Sequence, residues 1–140
     1  MKIAIINGPN LNLVGVREPS IYGHQTMEEM MGLLKEKYKN IELYYYQSNH
    51  EGALIDKLHE IGFSYKGIIL NAGGYTHTSI ALADAIKAIT TPVIELHISD
   101  ITKREKYRQH SYLKECCIHH IIGKGIEGYN EGVQYFINMK

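Results

Sequence analysis

Glu95 and His97 are the two residues whose types and spacing most directly predict chemistry in this sequence. They lie two positions apart in the apolar run PVIELH, so on a strand both side chains leave the same face. A carboxylate in this position orients the imidazole and favours its protonated form, which makes the pair a candidate general acid. An interior pair that serves only structure is equally common, and these two residues alone do not separate the two interpretations.

A long polar loop, residues 6–24, follows the first apolar run and reads INGPNLNLVGVREPSIYGH. Within it, Arg17 and Tyr22 lie between Gly15 and Gly23, and these glycines can act as the hinges of a mobile lid. The chain has eleven tyrosines, most of which are expected to pack, so Tyr22 by itself does not indicate function. The loop therefore predicts a lid without identifying what lies beneath it.

The segment LNAGGYTHTS, residues 70–79, puts two glycines and several hydroxyl groups between a strand and the start of a helix. Such a loop can present backbone amides to an anion, although it matches neither the P-loop nor the dinucleotide fingerprint. A tight turn with helix caps is the alternative. Asn71 favours a binding role, because an amide at the end of a buried strand needs hydrogen-bond partners or a ligand.

Arg104 and Arg108 are spaced four residues apart and would share one face if their short segment is helical. Both could then face a binding crevice, and a solvated basic surface is the alternative. The cluster CCIHH, residues 116–120, contains metal-ligating residue types. Adjacent residues of a strand point to opposite faces, so we expect no metal there, and we expect Cys116 and Cys117 to be free thiols.

Five apolar runs of strand length alternate with segments of helical pattern. The predicted strands are Lys2–Asn7, Ile41–Gln47, Gly67–Asn71, Pro92–His97 and Ile118–Gly123. The predicted helices run from a capping box at residues 26–29 to about Tyr38, over Glu51–Glu60, over Thr78–Ile89, and from about Ile126 to Asn138. The alternation predicts one α/β domain over residues 1–140, a flavodoxin-like doubly wound sheet of five parallel strands in the order 2-1-3-4-5.

Ligands of such open sheets bind beyond the carboxyl ends of the strands, at the point where the strand order reverses. Polar residues follow the strands that meet at this point. They are Asn7, Asn10, Asn12, Arg17 and Tyr22 after strand 1, Asn71, Tyr75, Thr76 and His77 after strand 3, and Glu95, His97, Ser99 and Asp100 around the end of strand 4. The sequence thus predicts that three loops converge on one crevice.

Charge and length exclude several classes of partner. Fifteen basic residues balance fifteen acidic ones without blocks of like charge, which argues against a nucleic-acid surface or a polybasic membrane anchor. The first apolar run is too short for the core of a signal peptide or a membrane span. We therefore expect a cytoplasmic protein whose partner is a small molecule.

Four long motifs occur in the order INGPNLNLVGVREPSIYG, NHEGALIDKL, LNAGGYTHTSIALADAI and PVIELHISDITKREKYRQHSY. On these motifs and their spacing the chain closely resembles the type II 3-dehydroquinate dehydratases, as far as about Tyr129. The resemblance implies a lyase that converts 3-dehydroquinate to 3-dehydroshikimate without cofactor or metal, by anti elimination through an enolate. The reaction belongs to the shikimate pathway or to quinate breakdown, and the family is typically a dodecamer of four trimers.

The resemblance also implies the roles of the site residues. Tyr22, ionised with help from Arg17, would remove the proton beside the ketone, and His97, oriented by Glu95, would protonate the departing hydroxyl. The enolate and its bridging water would be held by Asn10 and Asn71. The implied substrate contacts are His77 and Arg108 on ring hydroxyls, Ser99 and the Ile98–Ser99 backbone on the carboxylate, and Asp84 and Arg104 at the rim.

This chemistry explains the polar loop. A phenol is a poor base at neutral pH, and forming the phenolate there takes roughly 4 kcal/mol of stabilisation, which an adjacent guanidinium can supply. The loop would bring base and activator over the substrate and exclude water.

Several positions depart from the family pattern, and none of them is catalytic. They are Ala72, Gly74, Asp100, Thr102 and the stretch CCIHHIIGKG, where residues 116–120 would pack at a subunit contact. Receiver domains and flavin binders are excluded, because the ends of strands 1 and 3 lack the acidic cluster of the former and the phosphate loop of the latter. A catalytically inactive homologue that serves as a scaffold is the alternative function.

Overall fold

The computed structural model describes all 140 residues and contains one fully parallel sheet of five strands. The strands are β1 (Lys2–Asn7), β2 (Glu42–Gln47), β3 (Gly67–Asn71), β4 (Val93–His97) and β5 (His119–Ile122). Their order is β2-β1-β3-β4-β5, with every neighbouring pair parallel. The predicted order is therefore confirmed, and the predicted strand bounds differ by no more than one residue at any end.

Five α-helices connect and flank the strands, and none of them has the length and apolarity to cross a membrane. They are α1 (Pro19–Tyr22), α2 (Met27–Lys37), α3 (Glu51–Ile61), α4 (Ile80–Ala88) and α5 (Glu127–Asn138). The capping box that begins α2 is present as predicted. Helix α4 begins two residues later than predicted, because the Ser79 hydroxyl caps it by accepting a hydrogen bond of 2.9 Å from the Leu82 amide. The short helix α1, within the polar loop, was not predicted.

The core lies in two layers, one on each face of the sheet. Helices α2 and α5 cover one face, and α3 and α4 cover the other. Residues Ile3 and Ile5 of β1 face the first layer, whereas Ala4 and Ile6 face the second, and all four are completely buried. Each buried isoleucine contributes about 1.5–3 kcal/mol to folding, so the central strands form a rigid base for the loops that follow them.

The loops after β1 and β3 are in direct contact at the carboxyl end of the sheet. The Gly8 amide donates a hydrogen bond of 2.7 Å to the Asn71 carbonyl oxygen. A β-carbon at position 8 would overlap the carbonyl of Ala72, so only glycine allows this approach. The contact sets the spacing between the two loops that carry most of the candidate site.

Candidate active site

A cavity of about 140 Å³ lies beyond the carboxyl ends of β1, β3 and β4, at the predicted crevice. It brings together ten of the twelve residues expected at the site: Asn10, Arg17, Tyr22, Asn71, His77, His97, Ile98, Ser99, Arg104 and Arg108. The lining includes three arginines and no carboxylate, so its potential is positive and favours an anionic ligand.

Tyr22 is the phenol of this cavity, and two guanidinium groups donate hydrogen bonds to its oxygen. Arg17 Nη2 lies 3.3 Å from Tyr22 Oη, and Arg104 Nη1 lies 3.1 Å from it. The pKa of Arg104 is above its ordinary value, because the hydrogen bond to Tyr22 outweighs the opposing effect of burial. Both guanidinium groups direct N–H donors and positive charge at the phenol oxygen, which is the geometry that a tyrosine base requires.

Other buried tyrosines of the chain have the opposite surroundings. Burial raises the pKa of Tyr129, and hydrogen bonds with Asn71 and Asn7 only partly offset this effect. Burial also raises the pKa of Tyr45. Neither phenol is suited to act as a base, which singles out Tyr22 between its two arginines.

The lid, residues 10–23, is fixed at its base and strained near its active residues. Leu11 and Val14 are buried in the core, so the first turn of the lid is anchored by packing. Glu18 has a backbone φ of 36°, a left-handed conformation that is unfavourable for a residue with a side chain. Its carboxylate lies 3.3 Å from Arg17 Nη2, so Glu18 shares the guanidinium with Tyr22. These contacts hold the Arg17 side chain against that of Tyr22, which lies five positions later in the sequence.

His97, which lines the cavity, forms a buried pair with Glu95, which lies behind it. His97 Nε2 lies 2.7 Å from Glu95 Oε2, which also accepts a hydrogen bond of 2.6 Å from the Ser111 hydroxyl. Burial alone would raise the pKa of Glu95, but the hydrogen bond to His97 and its charge, followed by Ser111 and His120, lower it. Glu95 is therefore an anion that orients the His97 imidazole.

Asn71 is held by a hydrogen-bond network that the sequence did not indicate. Its Nδ2 donates to Tyr129 Oη at 3.0 Å, and Tyr129 Oη donates to Asn7 Oδ1 at 2.8 Å. The Gly73 amide donates to Asn71 Oδ1 at 3.2 Å. Because one N–H and the oxygen of this amide are engaged on fixed partners, its orientation at the cavity is set by the core, and its second N–H has no partner within the chain.

His77 lies on the β3 side of the cavity, and its Nδ1 lies 2.7 Å from the His110 carbonyl oxygen. A carbonyl only accepts hydrogen bonds, so Nδ1 carries the proton of the neutral ring and Nε2 is left as an acceptor. Burial lowers the pKa of His77 and outweighs the hydrogen bond to His110. His77 is therefore a neutral hydrogen-bonding group at neutral pH.

Arg104 links the lid to the loop after β4. In addition to Tyr22, its Nη1 donates to the Ser99 hydroxyl at 3.1 Å. Arg104 follows one short 3-10 turn (Ile101–Lys103), Arg108 is the last residue of the next (Lys106–Arg108), and both line the cavity. Arg104 was expected only at the rim, so the structure gives it a more central position.

Asp84 does not line the cavity of its own chain. It is exposed on α4, one turn after Ile80, which is 59% exposed. The expected place of Asp84 at the rim of the site stays a prediction, because the single chain does not bring Asp84 to the cavity. Helix α4 begins after Ser79 and directs this face away from the sheet, whereas Leu82 and Ile86 face the core.

Comparison with known proteins agrees with this geometry. The family model "Dehydroquinase class II" matches residues 1–137. The chain belongs to the class II dehydroquinases. The 3-dehydroquinate dehydratase of Corynebacterium glutamicum is 48% identical over 99% of this chain and 97% of its own. The catabolic 3-dehydroquinase 1 of Fusarium vanettenii is 47% identical over 96% of this chain and 95% of its own. The crystal structure of the type II dehydroquinase from Butyrivibrio crossotus superposes with a TM-score of 0.94 at 44% identity, covering 99% and 98% of the two chains.

Two of the positions at which this dehydroquinase departs from the expected pattern support each other. The Asp100 carboxylate accepts hydrogen bonds from the Thr102 amide at 3.0 Å and from its hydroxyl at 2.5 Å. The hydrogen bond from the Thr102 hydroxyl is the main reason why the pKa of Asp100 is lowered. The pair caps the 3-10 turn that precedes Arg104, so the two departures together preserve the path of this segment.

Proposed function

We propose that this dehydroquinase converts 3-dehydroquinate to 3-dehydroshikimate by an anti elimination that needs no cofactor. The observation that carries the proposal is a phenol oxygen between two guanidinium groups, in the same cavity as an imidazole held by a buried carboxylate. This is a base and an acid in one small site that attracts anions.

In the first step, Tyr22 as phenolate removes the proton beside the substrate ketone, and the electron pair moves onto the ketone oxygen as an enolate. Arg17 and Arg104 donate hydrogen bonds to the Tyr22 oxygen and place positive charge beside it. The enolate is stabilised by hydrogen bonds from the Asn10 and Asn71 region, where the orientation of the Asn71 amide is fixed by Tyr129.

In the second step, the enolate collapses and the carbon–oxygen bond at the next carbon breaks. His97 donates its proton to the departing hydroxyl, so that water leaves and the conjugated enone forms. The hydrogen bond to Glu95 holds the imidazole in position during the step. The proton on Tyr22 returns to His97 through solvent, which restores the starting state.

The remaining cavity residues bind the substrate. The cavity lining has three arginines and no carboxylate, which supports an anionic ligand such as 3-dehydroquinate. We assign the substrate carboxylate to Ser99 and the Ile98–Ser99 backbone, and the ring hydroxyls to His77 and Arg108. In this arrangement the substrate lies between the loops that end β3 and β4.

We further propose that the chain assembles into trimers, and these into a dodecamer. Several large apolar side chains are exposed on the single chain, among them Ile80, Tyr107, Tyr112 and Ile118. Burying such a surface favours association. Asp84 would then pair with Arg104 or Arg108 of the partner subunit. Sedimentation at micromolar concentration tests this, and a stable monomer would contradict it.

We also propose that the enzyme acts in the cytoplasm. Its two cysteines, Cys116 and Cys117, are free thiols, which is the form that a reducing compartment maintains.

Ultraviolet absorbance tests the activity directly, because the product contains a conjugated enone and the substrate does not. The purified chain with 3-dehydroquinate and no added cofactor is expected to produce this absorbance. Binding of 3-dehydroquinate without any product would favour the inactive scaffold instead.

A further inference from the structure

His120 lies beside the catalytic Glu95, at a position that the proposed mechanism does not use. The register of the sheet pairs Glu95 of β4 with His120 of β5, so both side chains leave the same face. His120 Nδ1 lies 3.2 Å from Glu95 Oε1. This nitrogen is buried and makes no hydrogen bond in the present orientation of the ring. His120 belongs to the CCIHH cluster, which showed no metal-ligand spacing and no chemistry in the sequence.

The two oxygens of the Glu95 carboxylate have unequal surroundings. Oε2 accepts hydrogen bonds from His97 and Ser111, whereas the nitrogen nearest Oε1 is that of His120. The Glu95 side chain is 2% exposed, so the carboxylate is largely removed from bulk solvent. The buried Nδ1 of His120 has no hydrogen-bond partner, which is costly, and a small rotation of the His120 ring would align Nδ1–H with Glu95 Oε1.

We propose that His120 is a positioning residue, which supports the general acid through Glu95. It donates Nδ1–H to Oε1 and so fixes the plane of the carboxylate, which in turn fixes the His97 ring on Oε2. The inference rests on the proposed function, because it gives His120 a role in the same dehydration.

Glu95 is the one charged group in contact with the His120 ring. Glu95 is the only carboxylate within 4 Å of a His120 ring nitrogen. From the neighbouring segment, Cys116 and Cys117 pack on the same side of the sheet, and burial, followed by the charge of Glu95, raises the pKa of Cys117. The thiol is therefore neutral. His119 points to the other face of the sheet and stacks on Tyr135 at 4.3 Å.

This arrangement couples the charge of His120 to the support of His97. While His120 is neutral, Glu95 acts on His97 as a full anion. When His120 gains a proton, it becomes a cation in contact with the same carboxylate, and the hydrogen bond between Glu95 and His97 weakens. Turnover should therefore decrease at acidic pH by more than protonation of the other site residues would cause.

The test compares His120→Val, which removes the donor, with His120→Asn, which keeps an N–H near the position of Nδ1 but never carries a charge. We expect His120→Val to lower kcat about tenfold with little change in KM, since the substrate does not touch residue 120. We expect His120→Asn to retain kcat within about twofold at pH 8. The ratio of kcat in His120→Asn to kcat in wild type should rise about threefold as the pH falls from 8 to 5.5. His119→Val, on the opposite face of the same strand, is the matched control and should show neither effect.

Nuclear magnetic resonance of the His97 ring, in protein without substrate, separates this inference from the proposed function. His120→Val should change the pH response of the His97 ring signals, and His119→Val should not. If wild-type protein fails to dehydrate 3-dehydroquinate, the proposed function is wrong. The resonance measurement would still decide whether His120 is coupled to His97. Equal losses in His120→Val and His120→Asn at every pH, or a His97 response that is the same in all variants, would overturn the role of His120.

Discussion

Replacement of Arg104 by glutamine tests how the phenolate of Tyr22 is stabilised. Glutamine keeps a hydrogen-bond donor near the phenol oxygen but removes the positive charge. Arg104 Nη1 lies 3.1 Å from that oxygen, so the centre of the guanidinium lies roughly 4 Å from it. Two opposite charges at this separation attract by about 4 kcal/mol at an effective dielectric constant of about 20.

The expected loss is smaller than this figure, because solvent reaches the lid and Arg17 remains. The Arg17 side chain is 25% exposed and that of Arg104 is 14% exposed. We expect a net loss of about 2–3 kcal/mol, which corresponds to roughly a 30- to 150-fold decrease in kcat/KM at pH 7. The loss should diminish as the pH rises, since the phenol ionises without help in more alkaline solution.

The assay is the rate of enone formation from pH 6 to 10 for wild type, Arg104→Gln and Arg104→Lys. Lysine restores the charge without the planar fork and should recover part of the activity at pH 7. A loss that is the same at every pH would refute the reasoning, because it would mean that Arg104 binds substrate and does not act on the phenol.

Three other variants test separate parts of the account. His97→Ala should lower kcat at least a hundredfold at pH 7, the usual scale for loss of a general acid, and full activity would remove His97 from the mechanism. Tyr129→Phe should keep the core packed but free the Asn71 amide, so we expect kcat to fall about tenfold while urea unfolding shows a loss of about 1–2 kcal/mol; an unchanged kcat would show that this network does not position Asn71. Glu95→Gln should flatten the dependence of the unfolding free energy on pH below 4.5. In wild type the pKa of Glu95 is lower in the folded state than its ordinary value of 4.5, so the stabilisation is complete above pH 4.5 and is lost as the pH falls through the folded value. Equal slopes for both proteins between pH 3 and 4.5 would contradict this.

The sheet was predictable because its signals are local. Each strand is a short apolar run closed by polar or turn residues, and the central strands are buried on both faces, so the runs are continuous. The alternation with helices leaves few topologies for a chain of this length. The position of the cavity then followed from the strand order.

The finer parts of the site depend on contacts between distant residues, and these have no local signal. Arg104 reaches Tyr22 across 82 positions, and Tyr129 reaches Asn7 across 122. The pairing of His120 with Glu95 depends on the register between β4 and β5, which the sequence does not specify to the residue. Helix α1 was missed because four residues in a polar loop carry no periodicity, and its Pro19 indicates a helix start only once the turn is known.

The central claim is that Tyr22 is the base, and Tyr22→Phe tests it most directly. The variant keeps the aromatic ring, on which the Arg17 guanidinium stacks at 4.4 Å, and removes only the proton acceptor. Turnover, measured by enone absorbance, should show at least a thousandfold loss of kcat. Substrate affinity, measured by calorimetry, should give a dissociation constant for 3-dehydroquinate within about threefold of wild type. A Tyr22→Phe enzyme that turns over at the wild-type rate would mean that another group takes the proton and that the lid only covers the site.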